Sequence, residues 1–333
     1  MQILFQNNIK QINSDIILDE FIKSKNKLLN KKTSEIIKII SEISRYWVSR
    51  KSRVQYLFDK YEMGFLIAWM KKSNLENLLH INFSDPSILD VPKIFGNNSY
   101  LIAKPRGIAL HWLAGNVPVL GIISLFQSII TKNKSIIKVP KNFKIVLPEL
   151  LNDLKNNSYF NKDTKKLIDV ILDHIIILYV EKSDKISQNS LSKIADIRIA
   201  WGGLDGITSF LKLPKKISCR DIVFGPKVSL AFIKKECLRN SEDLKNLSKL
   251  ICDDVLPFNQ MGCNSPHNII VESGSKFNLN DIALQLNYEF QKRNLNTKFI
   301  FDPMISYNIL TKKFIYQSDK NKKVISDNKN DWN

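Results

Sequence analysis

Four side chains could serve as a sulfur nucleophile: Cys219, Cys237, Cys252 and Cys263. The setting of Cys263 differs from the others, in Phe258-Asn259-Gln260-Met261-Gly262-Cys263-Asn264-Ser265-Pro266. It follows a helix and a glycine and precedes Asn-Ser-Pro, which reads as a tight turn ahead of a strand rather than a buried apolar face. A thiolate there could attack an activated carbonyl and hold the acyl group as a thioester. The local pattern alone favours a loop cysteine of structural use, so both readings stand at this point. Cys252 lies among apolar helical residues and reads as core packing, and Cys219 and Cys237 have weaker settings still. There is no CxxC pair and no grouping with histidine. Neither a disulfide framework nor a metal site is indicated, and reduced thiols in a cytoplasm are the expectation.

Glycine is scarce, and eight of the eleven (Gly107, Gly115, Gly121, Gly202, Gly203, Gly206, Gly225 and Gly262) fall between residues 107 and 262. Some of these flank the cysteine or mark strand-to-helix turns, where a missing Cβ lets backbone approach a ligand. The site is therefore expected at the strand ends of an α/β region. A GxGxxG phosphate loop is lacking. His111, on an apolar run, reads as a core residue with one hydrogen bond, and His267 as a satisfied loop histidine.

The elements that would position these residues follow from periodicity. Residues 1–95 read as a helical N-terminal region, with one helix from Ser34 to Tyr61 and a second from Met63 to Leu79. Strands and helices then alternate: strand Ile108–Trp112, helix Val119–Thr131, strand Ser135–Val139, strand Ile175–Val180 and strand Ile197–Trp201, with Gly202-Gly203 opening a helix from Leu204. That rhythm predicts βαβ units and a parallel sheet. The division expected is a cofactor-binding α/β domain over 96–235, a shortened catalytic domain over 236–318 holding Cys263, and a polar tail over 319–333.

Charge and hydropathy exclude some classes of function. The formal net charge is +18, but only eight of the 50 basic residues are arginine and the lysines are dispersed, without a nucleic-acid-binding motif. A dispersed basic surface supplies only non-specific attraction, so no specific nucleic acid is expected. Residues 107–131 carry no Asp, Glu, Lys or Arg. Asn116 and Pro118 split the run into a strand and a helix, each too short to cross a bilayer. With no signal-peptide pattern at the start, a cytoplasmic protein without a membrane span is expected.

Four segments occur in order: Gly107-Ile108-Ala109-Leu110-His111-Trp112-Leu113-Ala114-Gly115-Asn116-Val117-Pro118, Ser135-Ile136-Ile137-Lys138-Val139-Pro140, Ala195-Asp196-Ile197-Arg198-Ile199-Ala200-Trp201-Gly202-Gly203 and Phe258 to Pro266. Together they resemble the acyl-CoA reductase family of the bacterial bioluminescence fatty-acid reductase type, a branch of the aldehyde dehydrogenase superfamily. The resemblance covers roughly residues 90–300 and implies an α/β, aldehyde-dehydrogenase-like fold. It implies Cys263 as nucleophile and Asn116 as an oxyanion donor, with the Cys263 N–H as a second. It implies Lys138 at the adenosine ribose of the cofactor, and Trp201, Gly202 and Gly203 at its pyrophosphate and nicotinamide. An ammonium near that ribose suits a 2′-phosphate, so NADPH is expected, with NADH as the alternative.

The sequence departs from the family at three places. His267 stands where many members carry arginine. The stretch Asp221-Ile222-Val223-Phe224-Gly225-Pro226-Lys227 has Val223 or Phe224 in place of the glutamate base of hydrolytic relatives, which favours reduction of a thioester over its hydrolysis. Residues 264–333, all that follow the cysteine, are fewer than superfamily catalytic domains carry. The reading is an NADPH-dependent reductase of a long-chain fatty acyl thioester to fatty aldehyde, in a luminescence or another aldehyde-consuming route. The partners implied are a fatty acyl-CoA or acyl-protein donor, acyl-protein synthetase and acyl-transferase subunits, and a second copy of the chain. The rival readings are a shortened, non-reducing acyl carrier or scaffold and, on charge alone, a binder of nucleic acid or anionic surfaces.

Overall fold

The apolar runs that alternate with amphipathic stretches after residue 99 assemble into a parallel sheet in the computed structural model, which describes residues 1–7, 13–115, 117–258, 260, 262–294, 303–317, 319 and 321–325. The chain divides into two compact units, Met1–Gly225 and Pro226–Asn333. The division falls ahead of residue 235 because the strand Leu230–Ile233 pairs with Asn268–Val271, within the second unit.

The first unit runs β1 Gln2–Phe5, α1 Ser14–Lys23, α2 Thr33–Trp47, α3 Gln55–Lys60, α4 Phe65–Trp69, α5 Lys72–Asn82, β2 Lys93–Phe95, β3 Ser99–Leu101, β4 Ile108–Trp112, α6 Val119–Ile130, β5 Lys134–Lys138, α7 Val146–Asn156, α8 Lys162–Leu172, β6 Ile175–Tyr179, α9 Lys185–Ile194, β7 Ile197–Trp201, α10 Leu204–Leu211 and β8 Arg220–Phe224. Its main sheet has the order β1-β6-β5-β4-β7-β8. All neighbours are parallel except β1, which pairs antiparallel with β6 at one edge. Strands β4, β5 and β6 are buried almost throughout, as expected of parallel strands covered on both faces. One face packs on α1 and α9, through Leu110, Ile136, Leu178, Phe21 and Leu191. The other is covered by α6, on which α2 lies with Trp47 against Phe126.

Three expectations for the helical region need correction. It opens with a strand, β1. The single helix expected from Ser34 to Tyr61 is two, because serine side chains between them bond to nearby backbone: Ser49 Oγ donates to Tyr46 O at 2.7 Å, and Ser52 Oγ accepts from Val54 N at 3.2 Å. The expected helix from Met63 to Leu79 is likewise divided, at Met70-Lys71. Among the described residues no helix is long and apolar enough to cross a membrane.

Gly107 shows how tightly β4 is entered. Its φ of +124° disfavours any L side chain, and an added Cβ would lie 2.3 Å from Asp196 Oδ2. That carboxylate accepts the Ile108 N–H at 2.8 Å, which ties the start of β4 to the start of β7.

The second unit contains β9 Leu230–Ile233, α11 Ser241–Val255, β10 Asn268–Val271, α12 Leu279–Asn294 and α13 Pro303–Gln317. Its core joins Ile233, Leu244, Ile251, Cys252, Ile282, Leu286 and Phe290, with β9 and β10 forming a two-stranded parallel sheet.

Candidate active site

Parallel strands bring their carboxyl ends to one edge, and pairing register decides which side chains meet there. Trp112 lies opposite Lys138 on β5 and Ala200 on β7, and Trp201 lies opposite Phe224 on β8. Because side chains alternate along a strand, Trp112, Lys138 and Ala200 share one face. The Lys138 ammonium sits 4.9 Å from the centre of the Trp112 ring, whose other neighbour is Phe210 of α10 at 5.7 Å. Burial pushes the Lys138 ammonium below the ordinary lysine value, with Glu181 opposing the shift. The backbone turns from β7 into α10 at Gly202 and Gly203, with no side-chain cap on the helix and open space where a Gly203 Cβ would stand.

Trp201 points to the opposite face. Its ring stacks on Phe224, with centroids 3.8 Å apart and planes at 11°. Trp201 and Lys138, grouped in the sequence as cofactor contacts, therefore present their side chains to different sides of the sheet; Trp201 can join the Lys138 face only through its backbone. His111 lies on the Trp201 side, fully buried, with Nδ1 2.7 Å from Ser124 Oγ. Burial drives its pKa down to about 3, so the ring is neutral. Neither His111 Nε2 nor Trp201 Nε1, both buried, has a hydrogen-bond partner among the described residues.

Strand β8 carries no free base. Phe224 is engaged in the stack, and Asp221 is held by Arg198, whose Nε and Nη2 donate to it at 2.7 and 2.8 Å. Burial opposes ionisation of Asp221, but hydrogen bonds from Arg198 and Lys215 outweigh it and hold the carboxyl below its usual range. Arg198 itself is fully buried, also donating to Ser192 Oγ and Leu213 O. Sequence reasoning missed Arg198, Phe224 and Trp112 as organisers of this edge. Strict alternation through 197–201 and 220–224 was the signal for the pairs.

Asn116 lies outside the described residues. At the preceding residue, Asn142 Nδ2 donates to Gly115 O at 2.5 Å.

In the second unit, Cys263 is exposed on a tight turn between α11 and β10. Ser229 Oγ donates to Cys263 O at 2.7 Å, Ser265 N donates to Gly262 O at 3.0 Å, and His267 Nε2 donates to Gln260 O at 2.9 Å. Phe258 and Gln260 both adopt left-handed backbone, with φ of 55° and 60°. At Gly262 a Cβ would meet Ser265 Oγ at 2.9 Å and Asn264 Oδ1 at 3.1 Å, so a larger residue before the thiol would have to turn these side chains aside. Cys219 and Cys252 are buried, and burial pushes both thiols up, Cys252 to about 11. Among the described residues no group of three or more His, Cys, Asp or Glu could hold a metal ion.

Residues 14–332 match the family model described as Acyl-CoA reductase (LuxC). The chain belongs to that acyl-CoA reductase family. Among curated relatives it is 29% identical over 310 residues to long-chain acyl-protein thioester reductase 2 of Photobacterium leiognathi, covering 84% of this chain and 60% of the relative. To the long-chain acyl-protein thioester reductase of Photorhabdus luminescens it is 30% identical over 290 residues, covering 83% and 56%. The chain thus spans less than two thirds of the length of these relatives. Among solved structures, a NAD-dependent benzaldehyde dehydrogenase from Corynebacterium glutamicum matches with a TM-score of 0.54 at 11% identity, over 91% of this chain and 64% of that one. A lactaldehyde dehydrogenase matches with a TM-score of 0.54 at 14% identity, over 92% and 63%. The family member therefore has the aldehyde-dehydrogenase-like α/β fold expected from its four motifs.

Proposed function

We propose that this protein carries a long-chain fatty acyl group on Cys263 and releases it as the aldehyde. The observation that carries the reading is the exposed Cys263 thiol on a tight turn after Gly262, in a chain of the acyl-CoA reductase family. The Cys263 thiolate attacks the carbonyl carbon of an acyl-CoA or acyl-protein thioester. The new carbon–sulfur bond forms as the donor's thiol leaves, and the acyl group is held as an enzyme thioester. The Cys263 N–H and Asn116 are assigned to the developing oxyanion, where one donor is worth ~3 kcal/mol. Lys138 and the Gly202-Gly203 turn would hold a nicotinamide dinucleotide, which would supply the hydride that reduces the Cys263 thioester to aldehyde and frees the thiolate.

The residues present fit such a cofactor. The Lys138 ammonium is held over Trp112, the start of α10 has no side-chain cap, and backbone at Gly203 is open to close approach. Lys138 is assigned to the ribose and its 2′-phosphate, which makes NADPH the preferred form, and Gly202 and Gly203 to the pyrophosphate. Trp201 contributes backbone to that turn. Hydrolysis is disfavoured because Val223 and Phe224 offer no base and the Asp221 carboxylate is bound to Arg198.

Incubation with tetradecanoyl-CoA followed by intact-mass analysis tests the reading. A single acyl adduct is expected, absent from Cys263→Ala and discharged to tetradecanal by NADPH. An adduct that survives Cys263→Ala would falsify the nucleophile, and one that NADPH leaves in place would remove the reductive step.

A further inference from the structure

Lys138 has an acidic neighbour at the edge of the sheet. Strand β6 runs beside β5, with Lys138 opposite Leu178 and Val139 N donating to Leu178 O at 3.0 Å. The chain therefore leaves β6 at the edge where Lys138 stands, and the first charged residue it brings there is Glu181. The backbone of Glu181 is pinned by α9. The buried Gln188 side chain donates through Nε2 to Glu181 O at 2.9 Å and to Lys182 O at 3.0 Å. The Glu181 side chain itself is exposed.

Two neighbours hold that carboxylate at the edge. The Tyr179 hydroxyl donates to it, and this bond keeps the hydroxyl above the ordinary tyrosine value. The Tyr179 ring is in turn covered by Lys144, whose ammonium lies 3.4 Å from the ring centre. On its other side Glu181 acts through its charge on Lys138. Among the described residues Lys138 forms no direct ion pair; its ammonium rests on the Trp112 ring and stays available to an anion.

The two charges ask opposite things of an adenosine ribose. An ammonium attracts a 2′-phosphate, which as a phosphate monoester carries about −1.5 to −2 charges near pH 7. A carboxylate accepts hydrogen bonds from ribose hydroxyls and repels a phosphate, and an acidic residue at the ribose favours NAD over NADP in doubly wound sheets for that reason. We propose that Glu181 is a specificity-determining residue of this edge: its carboxylate accepts from the ribose hydroxyls of NADH and opposes the 2′-phosphate of NADPH, which narrows the preference that Lys138 gives. The proposal rests on the assignment of Lys138 to the ribose, and its test separates the two.

The protein, without acyl donor, is titrated with NADPH and with NADH, and binding is read from the nicotinamide fluorescence. Glu181→Gln, Lys138→Met and a control, Asp163→Asn on an exposed position of α8, are compared with the wild type. In Glu181→Gln the ratio of the two dissociation constants should move about tenfold toward NADPH, since a like-charge contact is removed. The gain should shrink at 1 M salt, where screening acts within ~3 Å. Lys138→Met should move the ratio the other way, and the control should leave it where it was. An unchanged ratio in Glu181→Gln, or equal tightening of both dinucleotides, overturns the proposal while a shift in Lys138→Met upholds the ribose assignment. If Lys138→Met alters neither dissociation constant, or neither dinucleotide binds, the ribose assignment falls and the proposal with it.

Discussion

The two stretches that carry the expected chemistry are built in different ways. The carboxyl edge of β4, β5, β7 and β8 is set by strand register and by groups buried in the sheet: Arg198 is fully enclosed, His111 is neutral in the core, and Lys138 rests on Trp112. The Cys263 turn stands on a two-stranded sheet and three short hydrogen bonds, with two residues in left-handed backbone at a cost of ~1–2 kcal/mol each. One region inherits its geometry from the fold as a whole, and the other makes its geometry locally. Damage to the first should appear as lost stability, and damage to the second as lost chemistry with the fold intact.

The strongest way to break this contrast is Arg198→Met. It removes the partner of a mostly buried Asp221 carboxylate and should cost ~3 kcal/mol, the low end for a broken buried pair because Lys215 still bonds Asp221. Urea denaturation measures it; a loss under ~1 kcal/mol would mean that the edge does not depend on the pair. A second effect is tied to pH. Unfolded His111 takes up a proton near 6.5 and the folded form only near 3. Its contribution to stability is thus full above pH 6.5 and is lost progressively as pH falls toward 3, by on the order of 5 kcal/mol. His174 is also shifted down by burial, so the readout is the difference between wild type and His111→Gln across pH 4–7, where the variant should show the shallower slope. The smallest stability change is expected from Ser229→Ala, about 1 kcal/mol or less for one exposed hydrogen bond. Its effect should appear instead as slower acylation of Cys263. A variant that unfolds readily yet acylates at the normal rate would reverse the contrast.

Much of the sheet was legible in the chain because β4, β5, β6 and β7 are short apolar runs bounded by Gly, Pro or polar clusters. The division of the expected helix from Ser34 to Tyr61 was not, since Val54 and Leu57 continue the apolar spacing across the break and only the serine side chains interrupt the backbone. Strand β1 escaped notice because four residues show no usable period and its partner lies far along the chain. At the site, Gly262 and Cys263 marked themselves as a turn, but only the ordered set of four motifs distinguished that thiol from the other three. The opposite orientation of Trp201 and Lys138 depends on register between neighbouring strands, which no single segment contains.

Strand β1 has a consequence for how the protein is made. Gln2 pairs with Tyr179, so β1 is made well before β6, its partner in the sheet. At synthesis rates of ~5–20 residues per second, the wait is roughly 10–35 s. Until then β1 has no partner strand, and an unpaired strand is a template for pairing with the wrong chain. The antiparallel strand can cover the β6 edge only once that edge is made, and the yield of correctly folded protein should depend on how well β1 is shielded in the interval.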